Sequence, residues 1–324
     1  MQKFYSKKEY QEISNLFNLG KIKTIKIIRQ GLWTPKVKVF TPKGGFIVSK
    51  YKLTNKKDIV SKSQNSLQYE IDLMNHFKKS PTLKYIKSRN KNFIEEFGEG
   101  WVTVDKLIIG KNPKIITPKI AYQLGEFLSK FHLAGRSFTK KLSSRREFYN
   151  FTPQNIKVMT RIALENKNLL LKKIVQEIKK GVLKNKPPKN LPQGPIHVDL
   201  KPSNELFIKE KLTGIVDFGN FYIGPFMVDI GKTIMWNCCK KNKLDPKLVL
   251  EIMRGYKNRR KLNKLELNYF KKSILFAIYS HIWVDLYHVP IKYIPEEYTL
   301  SLVRDFLPVA RQLEKENLFS TQNF

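Results

Sequence analysis

The chain has 324 residues, 41% hydrophobic and 12% aromatic, with 16 Gly, 16 Pro and a formal net charge of +34. This excludes a disordered chain, which would carry far fewer apolar residues, and a collagen-like one, which would carry far more glycine. The charge comes from 61 Lys and Arg against 27 Asp and Glu, and 11 of the basic residues are Arg.

Proteins that read nucleic acid favour the bidentate fork of Arg. Here the lysines run from end to end of a chain also rich in Asn, Ile and Phe. Codons biased to A and T account for that pattern better than a polyanion partner does. No apolar run approaches the roughly 20 residues of a membrane span, and no long apolar stretch follows Met1-Gln2-Lys3, so neither a membrane anchor nor a signal peptide is expected. The two cysteines, Cys238 and Cys239, are adjacent, where a disulfide is strained. They read as free thiols of a cytoplasmic protein.

In chain order, residues 6–18 predict a short helix with Ile13, Leu16 and Phe17 at helical spacing. Residues 22–52 predict an antiparallel meander with a turn at Thr41-Pro42-Lys43-Gly44-Gly45. Ser66 to Lys78 predicts a helix with Leu67, Ile71, Met74 and Phe77 on one face, and further strand-prone pieces end in Trp101-Val102-Thr103-Val104. Thr117-Pro118 opens a helix running to about Leu133, with Gly135 beyond its end. A Lys-rich helical region covers about 153–182, followed by a loop through Pro187-Pro188. Two short apolar runs occupy 194–220, and from about 225 the pattern is helical again. The expected order is a small β-rich lobe over 1–105 and a larger, mostly helical lobe over 106–324.

The most informative stretch is His197-Val198-Asp199-Leu200-Lys201-Pro202-Ser203-Asn204, followed by Gly214-Ile215-Val216-Asp217-Phe218-Gly219. A short hairpin would return Asp217 beside the loop that carries Asp199 and Asn204. Two carboxylates and a carboxamide would then converge. Hard oxygen ligands with room for phosphate oxygens suit Mg²⁺, and an Asp beside them can orient a hydroxyl and accept its proton. An isolated Asp in a turn means little. The joint pattern H-x-D-x-x-x-x-N, an apolar strand and D-F-G points to phosphoryl transfer.

These segments resemble the catalytic and metal loops of the protein-kinase-like superfamily, and most of all the aminoglycoside phosphotransferase family, nearest its bacterial homoserine kinase branch. Leu124 to Gly135 is similar to the family helix ending in H-x-A-G. Gly224 to Gly231 resembles its G-P-x-x-x-D helix start, and Gly255-Tyr256, Arg260, Leu262 and Glu266 resemble a further region of the branch. The resemblance implies an α+β, bilobal protein-kinase-like fold, with a small antiparallel sheet and one main helix in the N-terminal lobe. It implies ATP and Mg²⁺ as cofactors and a small hydroxyl-bearing metabolite as substrate. Asp199 would be the base, with Lys201 touching the γ-phosphate. Asn204 and Asp217 would hold Mg²⁺, His197 would fix the loop, and Asp229, near a helix start, would cap and anchor the catalytic loop. Upstream, Lys50 would meet the phosphates, oriented by Glu70, while Val48, sharing a strand face with Lys50, would touch adenine. Lys52 follows closely, so the register of that lysine is open. Backbone groups of Asp105 to Leu107 would form the hinge. Gly31 to Pro35 takes the place of a phosphate-covering G-x-G-x-x-G loop. Trp236, His281 and Asp285 are acceptor-pocket candidates, although His281 stands where the branch has an arginine.

Two other readings compete. A protein kinase needs an A-P-E anchor after D-F-G. None follows, Asp229 opens the next helix 12 residues after Asp217, and Val198 replaces the arginine of H-R-D. A basic nucleic-acid-binding protein, or a kinase fold without catalysis, would leave the complete Asp199, Asn204 and Asp217 set unexplained.

Overall fold

The computed structural model describes residues 4–28, 35–51, 64–77, 80–140 and 151–316. The chain divides into two compact units. One comprises Met1–Gly110, Lys140–Ser143 and Thr213–Val216; the other comprises Lys111–Thr139, Ser144–Leu212 and Asp217–Phe324.

In the first unit Ser6 caps helix α1 (Lys7–Leu16) in a reciprocal capping box with Glu9. Strands β1 (Thr24–Ile28), β2 (Lys36–Thr41) and β3 (Gly44–Tyr51) follow, then helix α2 (Gln64–His76) and strands β4 (Ile94–Phe97) and β5 (Gly100–Lys106). The five strands form one antiparallel sheet in the order β1-β2-β3-β5-β4. Side chains alternate between faces along each strand, and both faces are covered. Val37, Val39, Phe46, Val48, Val102 and Val104 pack with Tyr5, Tyr10, Ile13 and Phe17, on and around α1. On the opposite face Tyr51 and Ile94 pack with Leu67 and Ile71 of α2. Cross-strand register therefore decides which helix each strand residue meets.

The second unit begins its helices with α3 (Pro118–Gly135), capped by Thr117 with Pro118 at its first position. Gly135 is the last helical residue rather than one beyond the end. The Lys-rich region predicted as one stretch is two helices, α4 (Pro153–Ala163) and α5 (Leu169–Lys184). Two asparagines make the break. Asn166 gives its amide to the Ala163 and Leu286 carbonyls, and Asn168 accepts from the Leu170 and Leu171 amides as the cap of α5.

Strand β6 (Gln193–Ile196) leads into the loop carrying Asp199, and β7 (Glu205–Ile208) and β8 (Lys211–Ile215) make the hairpin after it. Strand β9 (Tyr222–Pro225) returns antiparallel to β6, with Ile196 opposite Tyr222. Helix α6 (Phe226–Cys238), a two-residue ladder of β10 (Cys239–Lys240) and β11 (Lys243–Leu244), and helices α7 (Pro246–Lys257), α8 (Lys264–His288) and α9 (Glu296–Lys315) complete the unit.

Helices α3 and α7 interlock through a glycine from each. A Cβ on Gly125 would lie 1.9 Å from the Ile252 carbonyl oxygen, and one on Gly255 would lie 2.0 Å from that of Tyr122. Both cysteines are free. No described helix is long and apolar enough to cross a membrane.

Candidate active site

The loop after β6 is held in an unfavourable backbone conformation. Val198 has φ of 60°, left-handed territory that a β-branched residue rarely enters. Such a conformation costs on the order of 1–3 kcal/mol and persists where surroundings enforce it. The enforcing group is Asp229 in the first turn of α6. Its Oδ2 accepts the His197 amide at 2.9 Å and its Oδ1 the Val198 amide at 2.8 Å. The cap position of α6 belongs to Pro225, with no side-chain cap, and the Asp229 carboxylate is turned instead to the amides of the loop.

Asp229 is itself fixed. His132 Nε2 lies 3.0 Å from Oδ2, and the other ring nitrogen of His132 lies 2.8 Å from the Tyr256 hydroxyl. Burial pushes the Asp229 carboxyl up, but His132 and the His197 amide outweigh it and hold the group below the ordinary carboxylate range. Beside Tyr256, Arg260 and Glu266 form a buried ion pair at 2.7 Å, with the guanidinium over the Phe226 and Tyr256 rings. The H-x-A-G, G-P-x-x-x-D and G-Y segments, far apart in sequence, thus meet behind one loop.

On the loop, His197 is fully buried, accepts the Asp199 amide at Nδ1 (3.2 Å) and packs on Phe218, centroids 4.4 Å apart. Lys201 Nζ is 2.9 Å from Asp199 Oδ2. Asn204 Nδ2 donates to the Asp199 carbonyl at 2.8 Å and to the same Oδ2 at 3.3 Å. Both side-chain partners fall on Oδ2, which leaves Oδ1 of Asp199 without one among the described residues. Burial raises the Asp199 carboxyl; Lys201 opposes this and Asp217 adds to it. For Lys201, burial lowers the ammonium, but Asp199 and its neighbours win and it is raised. Asp217 has φ of 64° and opens a short 3-10 turn, Phe218–Asn220, in which Phe218 is fully buried.

The donor set suits Mg²⁺. The amide hydrogens of Asn204 are spent on Asp199, so its carbonyl oxygen remains as a hard ligand, and the mutual repulsion of Asp199 and Asp217 is relieved by a cation. Mg²⁺ takes one or two protein oxygens plus phosphate, so the absence of a cluster of three or more acidic, His or Cys ligands among the described residues is compatible with it.

Motif reading missed several residues of this site. Asn112 donates to the carbonyls of Pro202, Ser203 and Glu205 at 3.0, 2.9 and 2.9 Å, clamping the far end of the loop. Lys232, buried in α6, donates to the Ala277 carbonyl at 3.0 Å and influences Asp285 and Asp199 electrostatically. Its only sequence signal is a basic residue in the mostly apolar run Phe226 to Cys238.

Of the acceptor candidates, Trp236 lies edge-on to His281 at 4.9 Å and beneath Lys201 Nζ at 5.4 Å. Asp285 is buried, its Oδ2 has no hydrogen-bond partner among the described residues, and burial pushes its carboxyl up to about 7 against the pull of Lys232. Burial, with Lys232 and Lys201 nearby, pushes the His281 imidazole well below its ordinary range.

The first unit requires corrections. Val48 is buried among the α1 residues, so the adenine contact assigned to it is not available there. Lys50 shares that face as expected, and its Nζ sits 4.0 Å from the Tyr5 ring centroid. Glu70 lies on the other side of the sheet, on α2, where its Oε1 accepts the Tyr85 hydroxyl at 3.0 Å. The expected Lys50–Glu70 pair therefore fails on strand parity. Asp105 is buried beside Glu70, and the Leu107 amide already donates to the Gly45 carbonyl at 3.0 Å. Gly31 to Thr34, assigned to cover phosphate, and Lys52 lie outside the described residues.

An α+β fold of kinase-like type with this loop defines a phosphotransferase. Comparison with known proteins agrees. The family model described as "Phosphotransferase enzyme family" matches residues 25–265, and the chain belongs to that family. A homoserine kinase of Neisseria meningitidis serogroup B is 23% identical over 257 residues, covering 78% of this chain and 80% of the relative. Among solved structures, an amicoumacin kinase in complex with AMP-PNP, Ca²⁺ and Ami aligns with a TM-score of 0.68 at 12% identity, over 98% of this chain and 97% of that one. A microcompartment-associated aminopropanol kinase aligns with a TM-score of 0.64 at 13% identity, over 94% and 97%. As a member of that family, the chain is a phosphotransferase enzyme.

Proposed function

We propose that the protein transfers the γ-phosphate of ATP, with Mg²⁺, to the hydroxyl of a small metabolite that also carries an amine, such as homoserine or an amino alcohol. The observation that carries this reading is the arrangement around Asp199, a buried carboxylate with one oxygen engaged by Lys201 and Asn204 and the other open, on a loop strained into place by Asp229.

In this reading Oδ1 of Asp199 accepts the hydrogen bond of the acceptor hydroxyl, orients it, and takes its proton as the new O–P bond forms and the bond from the γ-phosphorus to the β,γ-bridging oxygen breaks, releasing ADP. The raised pKa of Asp199 makes it a better proton acceptor than an ordinary aspartate. Lys201 holds Oδ2 and adds positive charge where the transferring group carries negative charge. Asn204 and Asp217 would hold Mg²⁺, which neutralises charge on the phosphates when bound. No covalent enzyme intermediate is required.

The amine follows from Asp285, a buried carboxylate with an unpartnered oxygen close to Lys201 and Lys232. A cationic acceptor group satisfies that oxygen, and Lys232 would meet an acceptor carboxylate where there is one. Relatives named for homoserine, amicoumacin and aminopropanol support this class.

Purified protein given ATP, Mg²⁺ and a panel of hydroxylated amines should form ADP with at least one of them. Asp199→Ala and Asp217→Ala should each lose that activity while melting as cooperatively as the parent. Retained activity in both variants would sink the mechanism.

A further inference from the structure

We infer that Lys36 on strand β2, and not Lys50 on β3, is the lysine of the first unit that binds the nucleotide's β- and γ-phosphates. This rests on the phosphotransferase reading above.

The argument starts from strand parity. Residues paired across an antiparallel ladder point to the same face. Lys50 pairs with Val102, and Val48 with Val37 and Val104. All four valines are in the core under α1, and the Lys50 ammonium lies over Tyr5 on that side. The next row belongs to the opposite face. Lys36 pairs with Ser49, which pairs with Thr103, and Thr103 with Ile94. Ile94 packs with Leu67 and Ile71 of α2, the helix that carries Glu70. A lysine one residue earlier on β3 would share this face, but position 49 is a buried serine. Lys36 is its cross-strand partner and offers an ammonium on the same face from the neighbouring strand.

Two buried carboxyls lie on this side of the sheet. Glu70 is buried and bonded to Tyr85, and Asp105 is buried on the same face, paired through Ile47. Lys36 is the cation whose field most opposes burial at the Asp105 carboxyl. Lys38 also has this parity but is not among the charges acting principally on Asp105. Lys36 is half-exposed, so its ammonium can serve a ligand while its stem lies along the sheet.

The test uses the full-length protein and fluorescent mant-ATP with Mg²⁺, alongside mant-AMP, which lacks the β- and γ-phosphates. Lys36→Met should weaken mant-ATP about 10- to 100-fold, as expected for a lost charged contact, and leave mant-AMP nearly unchanged. Lys50→Met should leave both within about threefold. Lys36→Gln, which keeps most of the stem, gives the same comparison should methionine disturb the strand. Undiminished mant-ATP binding by both Lys36 variants overturns the inference, as does a loss that follows Lys50 instead, and either leaves the phosphotransferase reading standing. Failure of the parent protein to bind mant-ATP at all overturns both.

Discussion

Asp229 shows how one carboxylate can serve structure and chemistry together. It satisfies two backbone amides of a strained loop and one imidazole, all buried. Asp229→Ala removes acceptors from three buried donors and should cost about 3 kcal/mol or more, read as a lower denaturant midpoint. Phosphoryl transfer should fall further than the stability loss explains, because Asp199 would lose its position. Glu205 supplies a second prediction at this scale. It is fully buried, and burial pushes its carboxyl up to about 8 against a smaller pull from Asn237, whose amide hydrogens go to Leu200 and Thr233. Its unfolded value is near 4.5, so between 4.5 and 8 the folded state binds more protons than the unfolded one. Stability therefore falls as pH rises through that window, by up to roughly 1.4 kcal/mol per pH unit. Melting temperatures of Glu205→Gln should lose this part of the decline, and curves that coincide with the parent's would refute it.

At the scale of elements, some of the architecture is legible in sequence and some is not, for physical reasons. Asp199, Asn204 and Asp217 could be read because their spacing is short and the hairpin between them is local. The start of α3 at Thr117-Pro118 was legible for the same reason. The expected pairing of Lys50 with Glu70 failed because the sheet is covered on both faces. A one-face sheet reveals its buried parity by alternation; here apolar residues occur in both parities, and nothing local says which helix covers which. Lys232 was hidden by the apolar character of its own helix, which no periodicity could partition. The break between α4 and α5 depends on asparagine side chains turning back onto backbone, in one case the distant Leu286 carbonyl. The α3–α7 crossing is testable. Gly125→Ala puts a methyl onto the Ile252 carbonyl, and since backbone cannot yield as a side chain does, it should destabilise by about 1–3 kcal/mol. An unchanged melting temperature would mean that the helices can separate without cost.

For the whole molecule, the net charge of +34 matters as a field rather than as a binding motif. The proposed nucleotide substrate is anionic, and a strongly positive protein raises its local concentration and its rate of arrival. The kcat/KM for MgATP should therefore fall several-fold as ionic strength rises from roughly 0.05 to 0.3 M, while kcat changes little, because screening shortens the reach of the field. A flat kcat/KM would leave the lysines without a part in substrate capture.

The central claim is direct transfer from ATP to a hydroxyl, with Asp199 as the proton acceptor. The most direct measurement follows γ-³²P from ATP in the presence of Mg²⁺ and a hydroxylated amine such as homoserine or aminopropanol, using the parent protein and Asp199→Asn. The label should appear on the small acceptor with the parent, should never reside on the protein, and should be transferred on the order of a thousandfold more slowly by Asp199→Asn. Transfer by Asp199→Asn at the parent's rate, or label held covalently by the protein, would contradict the account.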